Sequence, residues 1–422
     1  MSKTKAITQS VFLFATLLAG GLKAFEINEQ LNLEPSLRYR FQDVNDSFLG
    51  DATASTLKLR LSADWQIKDN WQGFVQLDHV HAFNEQNYNS VTVTRETSPI
   101  PDPKGSEINQ FYIQYVSDKD WSAKLGRQFV SFDNERHIGK IEFWQNDQTM
   151  DALSLLYNDN VNWSIQYAYL HKVHRVFGDD ATELLSPQDS RFDSNPLRPV
   201  NELGDHRHNS HLFNVKYSFN RQLQLSAFAY LLDNESSIRQ AVNTFGLRAT
   251  GEFKPSTIKY AYTVEAAQQK GAYDNPWNYT ALYYLAELSA QYKSHQLQMS
   301  FEHLGEDNGF GFVTPLGTNH KFQGWADIFG GYINSMGLED VYFTYRGRKG
   351  KIRWRAVAHQ FSSVDDGADV GTEIDLELAY RYNREWEFKF IAAKYMADEG
   401  FANLPRSQYD LNTWSLSIAY NL

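Results

Sequence analysis

The sequence contains no cysteine among its 422 residues. Disulfides, thiolate metal sites, a cysteine nucleophile and a lipidated N-terminal cysteine are therefore excluded. Long apolar runs are also missing beyond the N-terminal segment, because no later stretch approaches the roughly 18 consecutive apolar residues of a transmembrane helix. The rest of the chain must therefore fold without covalent cross-links and without a membrane-spanning helix.

Positive charge is scarce, with 40 lysine and arginine residues against 51 acidic ones and a net charge of −11. Residues 1–24 combine a short basic segment, an apolar run and a small residue before position 25, which is typical of a secretory signal peptide. Cleavage after Ala24 leaves 37 basic and 51 acidic residues, a net charge near −14. An acidic surface of this kind argues against nucleic acid as a partner.

Aromatic residues make up 15% of the chain, yet the mean hydropathy is only −0.52. Strict alternation of apolar and polar residues explains this combination. In the stretch STLKLRLSADW, Leu59 and Leu61 share one side of an extended chain, and Lys58 and Arg60 share the other. Similar runs have about the length of a tilted strand that crosses a bilayer. They recur at 33–41, 161–170, 257–266, 371–380 and 413–422.

Connections between these runs alternate between short and long. The short ones lie at 66–69, 117–120, 158–160, 218–222, 253–256, 293–295, 347–351 and 383–385. The long ones span roughly 42–55, 84–106, 128–150, 171–210, 232–243, 267–280, 303–338, 361–370 and 396–412. Eight tight turns and nine long loops predict about eighteen antiparallel strands, with both termini at the tight-turn end. The predicted fold class is all-β, a transmembrane antiparallel β-barrel over residues 25–422 with short periplasmic turns and long extracellular loops.

A barrel of this size explains both faces of the alternating strands. It encloses an aqueous lumen that side chains cannot fill, so the charged face meets water. The apolar face meets lipid tails, and closure leaves no unpaired strand edge. A soluble propeller or sandwich has no reason to collect its long connections at one end. The expected partners are membrane lipid and the outer-membrane assembly machinery, whose C-terminal signal the chain end resembles, although it finishes in Leu422 rather than in Phe or Trp.

Five segments resemble the alginate export family of Gram-negative outer-membrane barrels. They are EINQFYIQY at 107–115, KLGRQ at 124–128, WQNDQTMDAL at 144–153, HKFQGWADIF at 320–329 and VGTEIDLELAY at 370–380. The resemblance extends from about residue 33 to residue 422. It implies an eighteen-stranded channel that exports the anionic polysaccharide alginate passively through a narrow, arginine-rich pore. A channel of this kind is not an enzyme and needs no cofactor.

The predicted pore-lining and substrate-binding residues follow mainly from strand parity. Arginine holds a carboxylate in two hydrogen bonds, and rings of basic side chains select anions, so an anionic saccharide is the expected solute. Parity assigns these basic residues to the lumen: Arg38, Arg40, Lys58, Arg60, Arg248, Lys259, Arg353 and Arg355. Arg127 of KLGRQ matches an arginine of the family motif. It would face the lumen if the strand bends at Gly126, which glycine permits.

Parity also places at least as many acids as bases in the predicted lumen, with Asp375 among the pore-lining residues. The other acids are Glu34, Asp64, Asp78, Glu265, Glu287, Glu302, Glu373, Glu377 and Glu387. Such mixed charge departs from a strongly electropositive alginate pore. The loop 303–338 contains HKFQGWADIF and more apolar residues than an external loop needs. Two placements stay open for it, a constriction or plug inside the lumen and an external cap.

Three classes of function follow from these observations. The first is an outer-membrane channel for passive transport or export of an anionic polysaccharide or oligosaccharide, with a periplasmic export partner left open. The second is a general porin-like channel for small hydrophilic solutes or an adhesin-like surface barrel. The third is a barrel-embedded hydrolase built on His208 and Ser210, for which no oxyanion-hole motif follows.

Two further signals point to metal ions only weakly. The segment His206–His211 has the residue types for a transition-metal site, but we expect a solvated loop there. The acid-rich stretches 42–47 and 364–371 lack the full spacing of an EF-hand calcium loop. The sequence therefore predicts no metal site.

Overall fold

The computed structural model describes residues 25–28, 30–330 and 336–421. The predicted signal peptide, residues 1–24, lies outside the described residues. Eighteen antiparallel strands form the barrel wall in the described part of the chain. In chain order they are β1 Leu31–Asp46, β2 Ala52–Lys68, β3 Trp71–Ala82, β4 Gly105–Val116, β5 Trp121–Gln128, β6 Thr149–Asn158, β7 Trp163–His174, β8 Asp205–Asn220, β9 Leu223–Leu232, β10 Val242–Phe253, β11 Ile258–Gly271, β12 Thr280–Tyr292, β13 His295–Leu304, β14 Leu338–Lys349, β15 Ile352–Ser362, β16 Asp369–Arg381, β17 Trp386–Ala397 and β18 Leu411–Asn421. A short additional strand, Phe25–Asn28, pairs with the start of β1.

The wall closes into a ring because β1 pairs with β18 as well as with β2. Across this seam the pairing runs from Ser36 opposite Asn421 to Asp46 opposite Leu411. Every other strand of the ring pairs with its neighbours in sequence. Closure removes the open sheet edges that lipid could not satisfy. The predicted all-β barrel of about eighteen strands is confirmed.

The eight tight turns lie at one end of the barrel, where the sequence predicts them. The nine other connections lie at the opposite end, and we name them L1 to L9 in chain order. Two of them differ most from their predicted lengths. The expected loop 42–55 shrinks to 47–51, because β1 and β2 remain paired as far as Val44 and Ala52. The expected loop 171–210 shrinks to 175–204 (L4), because β8 already begins at Asp205.

Large apolar side chains cover the outside of the wall. Leu59 of β2 is 39% exposed, whereas the neighbouring Lys58 is 5% exposed and lies on the inner face. Aromatic rings gather at the tight-turn end, where Trp71, Tyr115 and Trp121 form a row with ring centroids 5.0 and 5.1 Å apart. Such a row is typical of the aromatic girdle at a membrane interface. The apolar face of the strands therefore meets lipid, and the charged face meets the lumen.

Two of the long connections fold into the lumen, L3 (129–148) and L7, of which the structure describes residues 305–330 and 336–337. Both supply residues to a buried apolar cluster that includes Ile138, Trp144, Phe312, Leu316, Trp325 and Phe329. Phe329 of L7 packs edge to face on Phe361 of β15, with ring centroids 4.8 Å apart. Of the two placements left open for this loop, its described residues 305–330 therefore support the one inside the lumen.

In the ranges that the structure describes, no helix is both long and apolar enough to cross a membrane.

Candidate functional site

Four basic side chains form one stretch of the lumen wall beside the seam. Arg38 and Arg40 lie on β1, and Lys58 and Arg60 lie on β2. Arg38 is directly opposite Lys58 in the antiparallel register. Because successive residues of a strand point to opposite faces, these even-numbered positions all point inward. We call these four residues the basic wall.

The basic wall borders a cavity of about 240 Å³. Lys389 of β17 adds a fifth basic side chain to its lining, and Glu142 and Glu387 add two acids. The seam strands contribute small polar residues to the same cavity, namely Ser36, Ser415, Ser417 and Asn421. The cavity therefore combines an excess of positive charge with groups that can exchange hydrogen bonds with hydroxyls.

Carboxylates hold the two basic residues of β2 in place. Arg60 donates to both oxygens of Asp78, from Nε at 2.7 Å and from Nη2 at 2.5 Å, and its Nη2 also donates to Asp147 of L3 at 2.5 Å. Lys58 Nζ lies 3.8 Å from Asp78 and 3.7 Å from Asp147. Burial alone would raise the pKa of Asp147, but the charges of Lys58, Arg60 and Arg38 lower it to about 2. L3 thus brings an ionised carboxylate to the basic wall.

L3 meets the two arginines of β1 through carbonyl oxygens and aromatic rings. Arg38 donates to the backbone carbonyls of Glu142 and Trp144, the former at 2.8 Å. The Arg40 guanidinium lies 4.7 Å from the centroid of the Phe143 ring and 4.9 Å from that of Trp144, within cation–π range. These contacts fix both guanidinium groups, and the buried Asp102 of L2 forms an ion pair with Arg40.

A second stretch of the wall, on β13 to β16, carries buried acids. Glu302, Asp340, Glu373 and Asp375 are each at most 1% exposed. We call these four residues the acidic wall. His359 of β15 lies among them, with Nδ1 2.9 Å from Asp340 and Nε2 3.4 Å from Asp375. Asp375, predicted to line the pore, therefore lies inside the barrel but is sealed from solvent.

The HKFQGWADIF segment of L7 covers the acidic wall. The Ala326 N–H donates to Glu373 Oε1 at 2.7 Å. Gly324 has φ +82°, and a Cβ at this position would lie 2.3 Å from the Glu373 carboxylate, so only glycine allows this approach. The ring of Trp325 covers Arg355, with the guanidinium 4.3 Å from the ring centroid. L7 therefore seals this stretch of the wall with backbone donors and an aromatic ring.

L3 contacts the acidic wall as well as the basic wall, through residues nearer the N-terminal end of the loop. Arg136 Nε donates to Glu302 Oε1 at 2.6 Å, and neither side chain is more than 1% exposed. The Nε2 atom of the neighbouring His137 lies 2.7 Å from Glu265 Oε1 of β11. L3 therefore crosses the lumen, from an ion pair with the acidic wall to an ion pair with the basic wall.

Aromatic rings divide the space inside the barrel. Phe143 lines the cavity at the basic wall, and Trp144 lines a second cavity of about 230 Å³ among the long loops. The two rings contact each other at a centroid distance of 4.7 Å. His320 of L7 stacks on Phe143 with centroids 3.4 Å apart. L3 and L7 together thus form an aromatic layer between the two cavities.

Comparison with protein families identifies the chain. A family model described as Alginate export matches residues 29–302, which is more than half of the sequence. The chain belongs to the alginate export family. No curated protein matched the sequence.

Solved structures share the fold of this alginate export family member. OccAB2 of Acinetobacter baumannii gives a TM-score of 0.70 at 14% identity, covering 93% of this chain and 98% of that one. OpdK of Pseudomonas aeruginosa, crystallised with vanillate, gives 0.69 at 12% identity and covers 93% and 99%. OccK5 (OpdH) of Pseudomonas aeruginosa gives 0.65 at 10% identity and covers 93% and 98%. Family and fold together identify an outer-membrane channel, a transport protein rather than an enzyme.

The other basic residues predicted from parity do not join the basic wall of this channel. Arg248 is buried against Glu265 on the neighbouring strand. Lys259 and Arg353 lie near tight turns, with side chains 42% and 48% exposed and each paired with an acid. Arg355 lies under the L7 ring described above. Of the basic residues predicted from parity, only those of β1 and β2 therefore lie at one cavity.

Arg127 lies apart from all of these residues. Gly126 has φ +125°, so the strand does adopt an unusual conformation at the predicted bend. Arg127 nevertheless stays in register opposite Phe111, which is 57% exposed on the outer face. Residues directly opposite each other in an antiparallel pair share a face. The structure therefore places Arg127 on the outer side, where its Nε lies 3.1 Å from Asp151, and not in the lumen as the bend led us to expect.

The histidine-rich segment belongs to β8 and not to a solvated loop, which corrects the sequence-based expectation. His206 and His208 are buried on one face, and His211 contacts Tyr167 on the other, so the three cannot share an ion. His208 Nδ1 does lie 3.0 Å from Ser210 Oγ. Ser210 is fully buried and its Oγ accepts a hydrogen bond from a backbone N–H at 2.9 Å, so this hydroxyl is a structural contact.

Strand parity misses the L3 residues that contact the two walls, because parity says nothing about loops. Arg136 and Asp147 make the charged contacts, and Gln145 Oε1 accepts from Arg38 Nε at 3.0 Å. The signal that could have found two of them is the family motif WQNDQTMDAL, which contains Gln145 and Asp147. Two of the five segments that resemble the family therefore contribute to these loops, because WQNDQTMDAL begins in L3 and HKFQGWADIF lies in L7.

Proposed function

We propose that this channel passes small carboxylate-bearing solutes by passive diffusion, with uronates and short alginate-like oligosaccharides as the preferred class. The observation that carries the proposal is the gathering of Arg38, Arg40, Lys58 and Arg60 around one cavity of about 240 Å³. Selection for anions follows from this concentration of positive charge in a confined space.

The chemistry of the basic wall suits a uronate. The planar guanidinium fork binds both oxygens of a carboxylate. Contacts with L3 already fix Arg38 and Arg40, so little side-chain entropy is lost when a solute binds. Asp78 and Asp147 offset part of the positive charge, which favours release as well as entry. The hydroxyls of the seam strands complement those of a sugar ring.

The size of the lumen favours short solutes. A cavity of about 240 Å³ is smaller than the roughly 300–1,000 Å³ of pockets for drug-sized ligands, so it suits a solute of one or two rings. Vanillate, with which OpdK was crystallised, is such a carboxylate and supports this class. Passage of a whole polysaccharide would require L3 and L7 to leave the lumen.

A general porin for small hydrophilic solutes is the second candidate. The observation in its favour is the acidic wall, since an equal number of carboxylates lies inside the same barrel. Burial of those acids under L7 weakens their influence on a passing ion, so we rank anion selection first.

Conductance in planar bilayers tests the proposal. The measurements are the reversal potential in a KCl gradient and block of the current by galacturonate and by short oligomannuronates and oligoguluronates. We expect a chloride preference and millimolar block, both lost in the double variant Arg38→Gln/Arg60→Gln. Arg384→Gln, an exposed arginine in a tight turn, is the control and should behave like the wild type.

Two results would contradict the proposal. A wild-type channel without ion preference or uronate block would favour the general porin. Block that persists unchanged in the double variant would place the solute contacts elsewhere in the lumen.

A further inference from the structure

A cluster at the base of L4, away from both walls, combines one histidine with two acids. β7 ends at His174 and β8 begins at Asp205, and these two residues are direct partners in the strand register. Asp179 follows in L4, and its backbone N–H donates to Glu107 Oε1 at 3.1 Å. One ligand atom from each of His174, Asp179 and Asp205 lies within 4.8 Å of the others. We call these three residues the L4-base cluster.

The imidazole of His174 is oriented by a carboxylate on the neighbouring strand. Its Nε2 makes a hydrogen bond with Asp151 Oδ2 at 2.9 Å, and the side chain is only 6% exposed. A hydrogen bond from Nε2 to a carboxylate fixes the ring and leaves Nδ1 as the nitrogen with a free lone pair. The same carboxylate–imidazole pair commonly supports metal-binding histidines.

The Nδ1 atom faces the two acids of the L4-base cluster. It lies 2.6 Å from Asp205 Oδ1 and 3.9 Å from Asp179 Oδ1. Within the described residues, neither Nδ1 nor Asp205 Oδ1 has a hydrogen-bond partner of acceptable geometry. Buried polar atoms are nearly always satisfied, so this close but unbonded contact needs an explanation. Coordination of both atoms to one cation beside them provides one.

We propose that the L4-base cluster binds a divalent transition-metal ion of the zinc class. The ligands are His174 Nδ1 and one oxygen each of Asp179 and Asp205. Imidazole nitrogen with carboxylate oxygen is a usual donor set for Zn²⁺. The side chains of Asp179 and Asp205 are 47% and 34% exposed, so the ion can enter from solvent and water can complete the coordination.

The neighbouring basic residues leave the ligand atoms available. Lys172 pairs with the other oxygen of Asp205, Oδ2. Arg127 pairs with Asp151 Oδ1, the oxygen that does not contact the imidazole. Each carboxylate therefore uses one oxygen for a basic side chain and keeps the other on the histidine side. The competing arrangement is a doubly protonated His174 that bridges Asp151 and Asp205 without an ion.

A bound ion would tie together the end of β7, the start of β8 and the beginning of L4. L4 contacts the neighbouring long loop L2, since the Thr92 hydroxyl of L2 donates to the Phe177 carbonyl at 2.7 Å. The ion would therefore stiffen the long-loop end of the barrel without taking part in solute binding at the basic wall. The inference is independent of the proposed solute.

The test is Zn²⁺ binding by the full chain in detergent after treatment with EDTA, measured by isothermal titration calorimetry. We expect one ion per wild-type chain and none for His174→Ala. Asp151→Asn should bind about 10- to 100-fold more weakly, the range typical of losing such a supporting carboxylate. His303→Ala is the matched control, because His303 pairs with a single acid, Glu339 at 2.8 Å, and it should bind like the wild type.

A second variant keeps the test valid if His174→Ala does not fold. Asp179→Asn changes a side chain in L4 that is 47% exposed and leaves the strand pairing intact. It should weaken Zn²⁺ binding at least tenfold, and the visible spectrum of bound Co²⁺ should change with it. Failure of the folded wild type to bind Zn²⁺, or unchanged binding by Asp179→Asn, would overturn the metal site in favour of the protonated bridge.

Discussion

The basic wall and the acidic wall are both covered by a loop that folds into the lumen, but the coverings differ. At the basic wall, L3 brings carbonyl oxygens, aromatic rings and the carboxylate of Asp147, and a cavity of about 240 Å³ remains. At the acidic wall, L7 brings the Ala326 N–H, and the four acids stay sealed. One wall is thus left open to a solute, and the other is closed by the loop.

Electrostatics explains why the two coverings differ. Buried carboxylates are costly unless they are paired and hydrogen-bonded, so the acidic wall needs Arg136, His359 and backbone donors around it. Arginine keeps its charge at all ordinary pH values, and its long side chain holds that charge at a solvent-filled space. The comparison indicates that the acidic wall anchors the loops, while the basic wall borders the cavity of the proposed solute.

The largest loss of stability should come from breaking the ion pair that anchors L3 at the acidic wall. Arg136→Ala leaves Glu302 buried without its cation, so we expect the free energy of unfolding to fall by about 3–5 kcal/mol. Urea unfolding in detergent micelles measures this. Lys140→Ala, which breaks the more exposed pair with Glu142 in the same loop, is the control and should cost less than about 1 kcal/mol. Equal losses in both variants would show that Arg136 is not an anchor.

A smaller effect should come from the contact of L3 with the basic wall. Asp147→Asn weakens charge-assisted hydrogen bonds, so we expect unfolding to become easier by about 1.5–3 kcal/mol at pH 7. Looser docking of L3 should also raise the single-channel conductance. Asp193→Asn, on an exposed loop position, is the control. Unchanged stability and conductance in Asp147→Asn would separate L3 from the basic wall.

The stabilising contribution of Asp147 should decrease at low pH. The pKa of Asp147 lies near 2, below the ordinary value of an aspartate, because Lys58, Arg60 and Arg38 outweigh the effect of burial. Its stabilising contribution is therefore complete above about pH 4 and is lost as the pH falls through about 2. The difference in unfolding free energy between the wild type and Asp147→Asn should be constant from pH 7 to about pH 4 and should shrink below that. A difference that already vanishes near pH 5 would contradict the shifted pKa.

A substitution in L7, the loop that covers the acidic wall, should have a smaller effect on stability. Trp325→Leu keeps an apolar side chain but removes the cation–π contact with Arg355, so we expect a loss of about 1 kcal/mol in unfolding free energy. Trp325→Phe keeps an aromatic face and should lose less. If leucine and phenylalanine behave alike, the contact with Arg355 does not stabilise the position of L7.

The smallest effect on ion selectivity and stability should come from basic residues that belong to neither wall. Lys259 lies at a tight turn, and its ammonium group pairs with Glu252 in solvent. Lys259→Gln should therefore leave both the reversal potential and the stability unchanged, whereas Lys58→Gln should reduce the chloride preference. A shift of the reversal potential in Lys259→Gln would mean that charge at the tight-turn rim also selects ions.

Strand parity and connection lengths predict the barrel well, because a closed wall between lipid and water imposes a period of two on every strand. The same rule assigns Lys58 and Arg60 to one face of β2, where both pair with Asp78. Strand parity does not show which basic residues lie at the same cavity. Arg248 and Lys259 have the same parity but lie at other places on the ring. Arg127 differs from its expected position because a positive φ at Gly126 does not by itself change the strand register. Contacts such as Arg136 with Glu302 join a loop to a distant strand, and no local pattern reports them.

The seam between β1 and β18 has a consequence for assembly. The serines and asparagine of the cavity come from the first and last strands of the ring, which are far apart in sequence and meet only when the ring closes. A partly inserted chain would therefore have two open strand edges and no solute cavity. The chain should therefore become able to transport solutes in a single late step of assembly, when the ring closes and no strand edge faces the membrane any longer.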